Sequence, residues 1–271
     1  MASHPLLNIF KANKPAFGAW LTLPGVFHAR TVAQASPHDH LSWVVVDCEH
    51  GLVPLVPGAA ETISAIQSSR NDGTAPSAIV RVPATGVTAS SSWQIKHALD
   101  GGAQGVMLPL VSTAQKAREI VQDCKFPPIG RRGFGSPFTH GMWNLTASEY
   151  IQSANDSTVV MVQIENKEAV DNVDEIAKVD GVDVLFIGPY DLSISLGFPP
   201  PSPDPHPEVE KVIQKILQAA HAAQKKCAIF CISGEQAAKR AKEGFDMINV
   251  TSDTGAMTEG INKHLNAALG K

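Results

Sequence analysis

The chain has 271 residues, 44% of them hydrophobic, enough for one large domain or two small ones with a sizeable core. Its 22 basic and 26 acidic residues are dispersed and sum to −4, which leaves neither a basic stripe for nucleic acid nor an acidic tail and points to a small-molecule partner. No apolar run reaches the roughly 20 residues of a membrane span, and the opening "MASHPLLNIFKANKPAFGAW" lacks a secretory core, so the cytoplasm is the expected location.

From the N-terminus, eight β-type runs follow one another: "AFGAWLTL", "WVVVD", "SAIVRV", "GVMLPLV", "TVVMVQIE", "VDVLFIG", "CAIFCIS" and "MINVTS". Most are nearly continuous in aliphatic residues, the signature of strands buried on both faces of a parallel sheet. Helical spacing fills the intervals, as in "SSWQIKHALDGG", "TAQKAREIVQDC", "NKEAVDNVDEIAKV", "EVEKVIQKILQAAHAAQ" and "EQAAKRAKEG". Eight strand–helix units in about 250 residues predict a (β/α)₈ TIM barrel, an eight-stranded parallel α/β fold. It reads as a single domain over 1–271, with its core at about 16–268. Two loop-rich segments interrupt the rhythm, "KFPPIGRRGFGSPFTHGMWNLTASEYIQSAND" and "GFPPPSPDPHPEVE", and are expected on the face where a barrel builds its site.

The strand ends carry the chemistry. Asp47, Glu49 and His50 follow the second strand, Arg81 ends the third, Gln163 and Glu165 end the fifth, and Asp191 follows the sixth. A parallel barrel gathers these ends on one rim. Glu165 and Asp191 end adjacent strands, and two nearby carboxylates share a proton or hold a cation. An oxygen-only set suits Mg²⁺ or Mn²⁺, with Co²⁺ or Zn²⁺ as lesser options. Arg81 at the end of a buried strand needs an anion, either a substrate oxygen or Glu49. His50, three residues from Asp47, is the expected base, with that carboxylate orienting its ring.

Other signals are weaker. "RRGFGS" is neither a phosphate loop nor a dinucleotide fingerprint, although its amides could line an anion. No G-x-S-x-G elbow is present, and no lysine stands at a strand end, which argues against a serine nucleophile and against Schiff-base aldol chemistry. Cys48, Cys124, Cys227 and Cys231 read as reduced thiols.

In order, "WVVVDCEHG", "QIKHALDGGAQGVMLPLV", "GRRGFGS", "VQIEN", "VDVLFIGPYDLSISLG" and "HPEV" resemble the HpcH/HpaI aldolases, the class II, metal-dependent pyruvate aldolases. The resemblance runs from about residue 16 to the C-terminus. It implies retro-aldol cleavage of 4-hydroxy-2-oxo acids, and the reverse addition, by a carbon–carbon lyase that passes through a pyruvate enolate. It implies a divalent metal on Glu165 and Asp191, substrate contacts from Gln163 and from Tyr190 and Asp191, and Arg81 on the enolate. It further implies that His50, supported by Asp47, acts as base through a water, and that Asp100 reaches the histidine of a neighbouring subunit. A homo-oligomer is implied, commonly a hexamer that exchanges a helix between subunits. The partners are a 2-oxo acid such as pyruvate or oxaloacetate and an aldehyde. Cys48 stands where the type member has glycine, and Tyr190 where it has alanine.

The same residues also suit an oxaloacetate decarboxylase or an enolate-trapping enzyme of the macrophomate synthase kind, since loss of CO₂ leaves the same enolate. A non-catalytic barrel binding metal and a 2-oxo acid is a further alternative; it has no need of a base. A lyase for acyl-CoA thioesters would want a basic patch, of which only Arg131 and Arg132 give a hint.

Overall fold

The computed structural model describes residues 4–36, 40–70, 73–84 and 91–271. Eight parallel strands pair in chain order and close on themselves: β1 (Ala16–Leu21), β2 (Trp43–Asp47), β3 (Ser77–Arg81), β4 (Gly105–Leu108), β5 (Val159–Ile164), β6 (Val184–Ile187), β7 (Lys226–Ile229) and β8 (Met247–Ser252). This is the (β/α)₈ barrel that the run of eight apolar segments predicts. α1 (Pro5–Lys11) precedes β1. On the outside follow α2 (Val26–Gln34), α3 (Ala60–Gln67), α4 (Ser92–Asp100), α5 (Ala114–Cys124), α6 (Thr139–Met142) and α7 (Ala147–Ser157). Then come α8 (Lys167–Asp171), α9 (Val173–Ala177), α10 (Pro189–Ser195), α11 (Pro207–Ala222), α12 (Gly234–Glu243) and α13 (Asp253–Ala268). The segment "NKEAVDNVDEIAKV" is not one helix but two, α8 and α9, because Asn172 leaves helical geometry at φ −102°, ψ 10°. Among the described residues, no helix is long and apolar enough to cross a membrane.

Strand periodicity sorts the core into two layers. Val44, Val46, Ala78, Val80, Val160, Val162, Leu185 and Ile187 point outward into the helix-packed cluster. Alternate residues, among them Trp43, Val45, Ile79, Met107, Met161 and Phe186, fill the lumen. Side chains two apart share a face, so each inward row continues upward to the rim. The row of Trp43 and Val45 ends at Asp47, that of Ile79 at Arg81, and that of Val159 and Met161 at Gln163. Burying this apolar lumen forces those polar groups to the C-terminal end.

The bottom of the lumen is plugged by α1, whose Leu6 joins the inner cluster. His4 caps that helix through Leu7 N and lies 3.1 Å from the Gln104 carbonyl, where burial lowers its pKa to about 4 and keeps it neutral. Gly18 of β1 is opposite Trp43, and a Cβ there would fall 2.0 Å from the indole. Gly18→Ala is therefore expected to destabilise the barrel by about 1–3 kcal/mol through overpacking, measured as a lower urea midpoint at unchanged slope.

Candidate active site

A cavity of about 280 Å³ opens at the C-terminal end of the strands. Its polar side is made by Asp47, His50, Arg81, Gln163, Glu165 and Asp191. Its apolar side is made by Trp20, Phe186, Pro189, Tyr190 and Phe230, with Thr22, Gly188 and Ser252 between. Seven of the eight residues expected at the site thus share one cavity.

Arg81 is its best-anchored group. Register pairs Asp47 directly with Arg81, and the side chains form a two-point ion pair, Arg81 Nε to Oδ1 at 2.9 Å and Nη2 to Oδ2 at 2.7 Å. Nη1 meets Glu49 Oε2 at 2.9 Å, and the guanidinium lies 4.9 Å from the Trp20 ring centroid. Burial opposes the charge on Arg81, but the contacts with Asp47 and Glu49 outweigh it and hold the pKa above its usual value. For Asp47, burial alone would raise the pKa, yet the bonds from Arg81 win and it ends below the usual carboxyl range. Glu49 shifts the other way, since burial outweighs the pull of Arg81.

The structure departs here from the expected pairing of Asp47 with the His50 ring. Asp47 accepts from Trp20 Nε1 (3.1 Å) and from the backbone amides of Glu49 (3.0 Å) and His50 (3.3 Å), in addition to Arg81. Its inward position on β2 commits it to Arg81, whereas His50 lies past the turn with a side chain 69% exposed. The acid beside the imidazole is Glu49, with Nε2 and Oε2 3.7 Å apart. Asp47 fixes the backbone on which His50 stands, not the ring.

Glu165 is buried, accepting from Leu110 N (2.8 Å) and Gln163 Nε2 (2.7 Å). Burial, with Asp191 and Glu49 adding negative charge nearby, pushes its pKa up to about 7. Gln163 Oε1 is buried without a hydrogen-bond partner and is free to accept one. A Cβ on Gly188 would stand 2.4 Å from Glu165 Oε2, so the missing side chain keeps that oxygen open. Asp191 lies in the first turn of α10 and lines the same cavity. Among the described residues no group of three or more acids, histidines or cysteines gathers as a metal cage.

Asp100, at the end of α4, does not line this cavity. Its carboxylate meets Lys96 Nζ at 2.6 Å and Arg132 Nη2 at 3.1 Å. Arg132 is buried against Phe126 and donates to Tyr150, and Arg131 pairs with Asp123. Both arginines of "RRGFGS" are engaged within the chain. Cys48, Cys124, Cys227 and Cys231 are buried and unpaired, and burial pushes the Cys48 thiol up to about 12, far from a nucleophile.

Asp253, after β8, escaped the sequence reading although it obeys the strand-end rule. It accepts from Thr22 N (2.9 Å), Leu23 N (3.0 Å), Thr22 Oγ1 (2.7 Å) and His28 Nε2 (2.8 Å), latching the loop after β1 to the last strand. Burial opposes its ionisation, but the bonds from Thr22 and His28 hold its pKa below the ordinary 3.8. A depressed acid contributes stability above its unfolded pKa and loses it as pH falls through the folded one. Asp253→Asn should therefore flatten the fall in unfolding free energy below pH 3.8, followed by urea melts at stepped pH.

Residues 23–259 match the model of the HpcH/HpaI aldolase/citrate lyase family. The chain is 37% identical over 240 residues to 4-hydroxy-2-oxo-heptane-1,7-dioate aldolase of Shigella sonnei, covering 86% of this chain and 82% of that protein. It is 30% identical over 265 residues to 2-keto-3-deoxy-L-rhamnonate aldolase of Escherichia coli K12, covering 98% and 93%. The crystal structure of an HpcH/HpaI aldolase/citrate lyase family protein from Burkholderia cenocepacia superposes with a TM-score of 0.86 at 29% identity, covering 98% of this chain and 99% of that one. A barrel of this topology, an arginine-centred acidic rim and family matches over nearly its whole length make this chain a member of the HpcH/HpaI aldolase/citrate lyase family and a lyase of the aldolase type.

Proposed function

We propose that the cavity cleaves 4-hydroxy-2-oxo acids to pyruvate and an aldehyde, and runs the reverse addition, through the pyruvate enolate. The observation that carries this reading is that Arg81, held by Asp47 and Glu49, lines one cavity together with the carboxylates of Glu165 and Asp191. Glu165 and Asp191 would hold a divalent cation, Mg²⁺ or Mn²⁺ by the hardness of their oxygens, and it would supply electron withdrawal from the 2-oxo group. The raised pKa of Glu165 and the space above Gly188 fit such an ion, because a cation relieves the acid's buried charge.

This chain's own residues then divide the work. Arg81 is held by three ionic contacts with Asp47 and Glu49, so it presents charge where the enolate oxygen forms without having to reorganise. Gln163 lines the cavity, donates Nε2 to Glu165 and keeps a carbonyl oxygen without a partner that can accept from the substrate. His50 takes the 4-hydroxyl proton as the C3–C4 bond breaks and returns a proton in the addition direction. The matched relatives named as aldolases support the reaction type, and buried, unpaired thiols suit the reducing cytoplasm.

A homo-oligomer, hexameric as in the resemblance, is part of the proposal. On α13, Met257, Ile261 and Leu265 recur every four residues, Leu269 follows at its C-cap, and all four are exposed as an apolar stripe. Light scattering after size exclusion should give a mass several times the 28.8 kDa protomer.

The test is deuterium uptake into the methyl group of pyruvate after chelation and add-back of Mg²⁺ or Mn²⁺. Exchange that depends on the added ion is expected; none with any divalent ion would overturn the enolate reading. Assaying 4-hydroxy-2-oxo acids beside oxaloacetate then separates aldol cleavage from decarboxylation.

A further inference from the structure

The apolar side of the cavity is a connected series of rings. Phe186 on the floor is 1% exposed and lies 5.5 Å from Trp20, itself 3% exposed. Trp20 meets Phe230 edge-on at 5.3 Å, and Phe230 meets Tyr190 at 6.4 Å. Tyr190 is 37% exposed, so the rings climb from the lumen to the mouth. Strand parity builds the lower part: Phe186 and Phe230 continue the inward rows of Val184 and Ala228. The upper part comes from α10, which places Tyr190 next to Asp191.

The polar side is already committed. Arg81 is the sole permanent cation among the described lining residues; Asp47 and Glu49 anchor it, and the reading above assigns it to the enolate oxygen. Glu165 and Asp191 add negative charge to the same space. A substrate's 2-oxo acid end belongs on this polar side. Its other end meets Phe230 and Tyr190, where a second carboxylate would give up hydration to aromatic faces and find no further cation among the described lining residues.

We propose that Phe230 and Tyr190 select the aldehyde, so that the enzyme joins pyruvate to neutral apolar or aromatic aldehydes in preference to aldehydes that carry a carboxylate. This rests on the enolate reading above. In the addition, pyruvate C3 loses a proton and bonds to the aldehyde carbon, and the aldehyde oxygen takes up a proton as the new 4-hydroxyl. The aldehyde's substituent lies against the edge of Phe230 and beneath the Tyr190 ring. Offset and edge-on ring packing favours aromatic and alkyl groups there.

The experiment compares kcat/KM for benzaldehyde, hexanal and 4-oxobutanoate with pyruvate as donor and Mn²⁺ supplied. The wild type should favour the two neutral aldehydes over 4-oxobutanoate by about tenfold or more, the scale on which an apolar wall tells a well-packed substituent from an unpaired charge. Phe230→Ala should lower that ratio about tenfold, through loss of the ring wall. Tyr190→Arg, at an exposed position that does not threaten the core, should invert it by giving the carboxylate a partner. Preference for 4-oxobutanoate in the wild type, or one ratio shared by all three proteins while pyruvate still exchanges its methyl protons, would overturn the subsite and leave the enolate reading standing. No exchange in the wild type would overturn both.

Discussion

Glu165→Ala is expected to bind no Mn²⁺ in calorimetric titration and to exchange no pyruvate methyl protons, whereas His50→Ala keeps Mn²⁺ binding and loses exchange by about 10²–10⁴-fold. The contrast follows from where the two side chains stand. Glu165 accepts from Leu110 N and Gln163 Nε2 and lines the same cavity as Asp191, so removing it deletes one of the two acids proposed to hold the ion. His50 is solvent-facing and touches only Glu49 among the acids, so removing it leaves the pair intact. Equal loss of Mn²⁺ binding in both variants would refute this division. Glu165→Gln sharpens the test, because it keeps the volume and removes the charge.

Arg81→Met is expected to cost about 3–5 kcal/mol of stability together with nearly all activity. Removing one partner of a buried pair leaves the other uncompensated, and here two carboxylates, Asp47 and Glu49, are left facing each other. Burial then acts on Asp47 without its counter-charge, so the deficit should be largest at neutral pH and shrink as the acids protonate. Equilibrium urea unfolding between pH 4 and pH 8 measures it. Arg81→Lys should recover part of the stability and little of the activity, since an ammonium cannot make the two-point bond to Asp47 while also reaching Glu49. A stability for Arg81→Met within about 0.5 kcal/mol of wild type would show that the pair contributes nothing.

Much of this architecture could be read from the chain because a parallel barrel writes itself twice, once as eight aliphatic runs and once as polar residues at their ends. Asp47, Arg81, Gln163 and Glu165 were legible for that reason. The Arg81–Glu49 pair was legible as well, but the partner of Asp47 was not. His50 stands three positions after Asp47 in sequence, but register across β2 and β3 sets Asp47 against Arg81 instead. The aromatic side went unread because Phe186 and Phe230 look like ordinary core residues until the inward parity is known. Asn172 is compatible with a helix by composition, but at the break between α8 and α9 its side chain donates to the Ser112 carbonyl (2.9 Å), 60 residues away in sequence. Asp253 was within reach of the strand-end rule; its four partners in the loop after β1 and in α2 lie more than 220 residues away.

The closure of β1 onto β8, latched by Asp253, bears on how the chain avoids its own kind during synthesis. A nascent chain that has not reached Met247 already contains Arg81, Glu165 and Asp191, yet β1 and β7 still lack their neighbour, β8. Two apolar strand edges are then open to pairing with any other chain, the usual start of aggregation. Ribosome pausing ahead of β8, or a substitution that weakens the latch, should therefore show first as insoluble protein and only afterwards as lost catalysis.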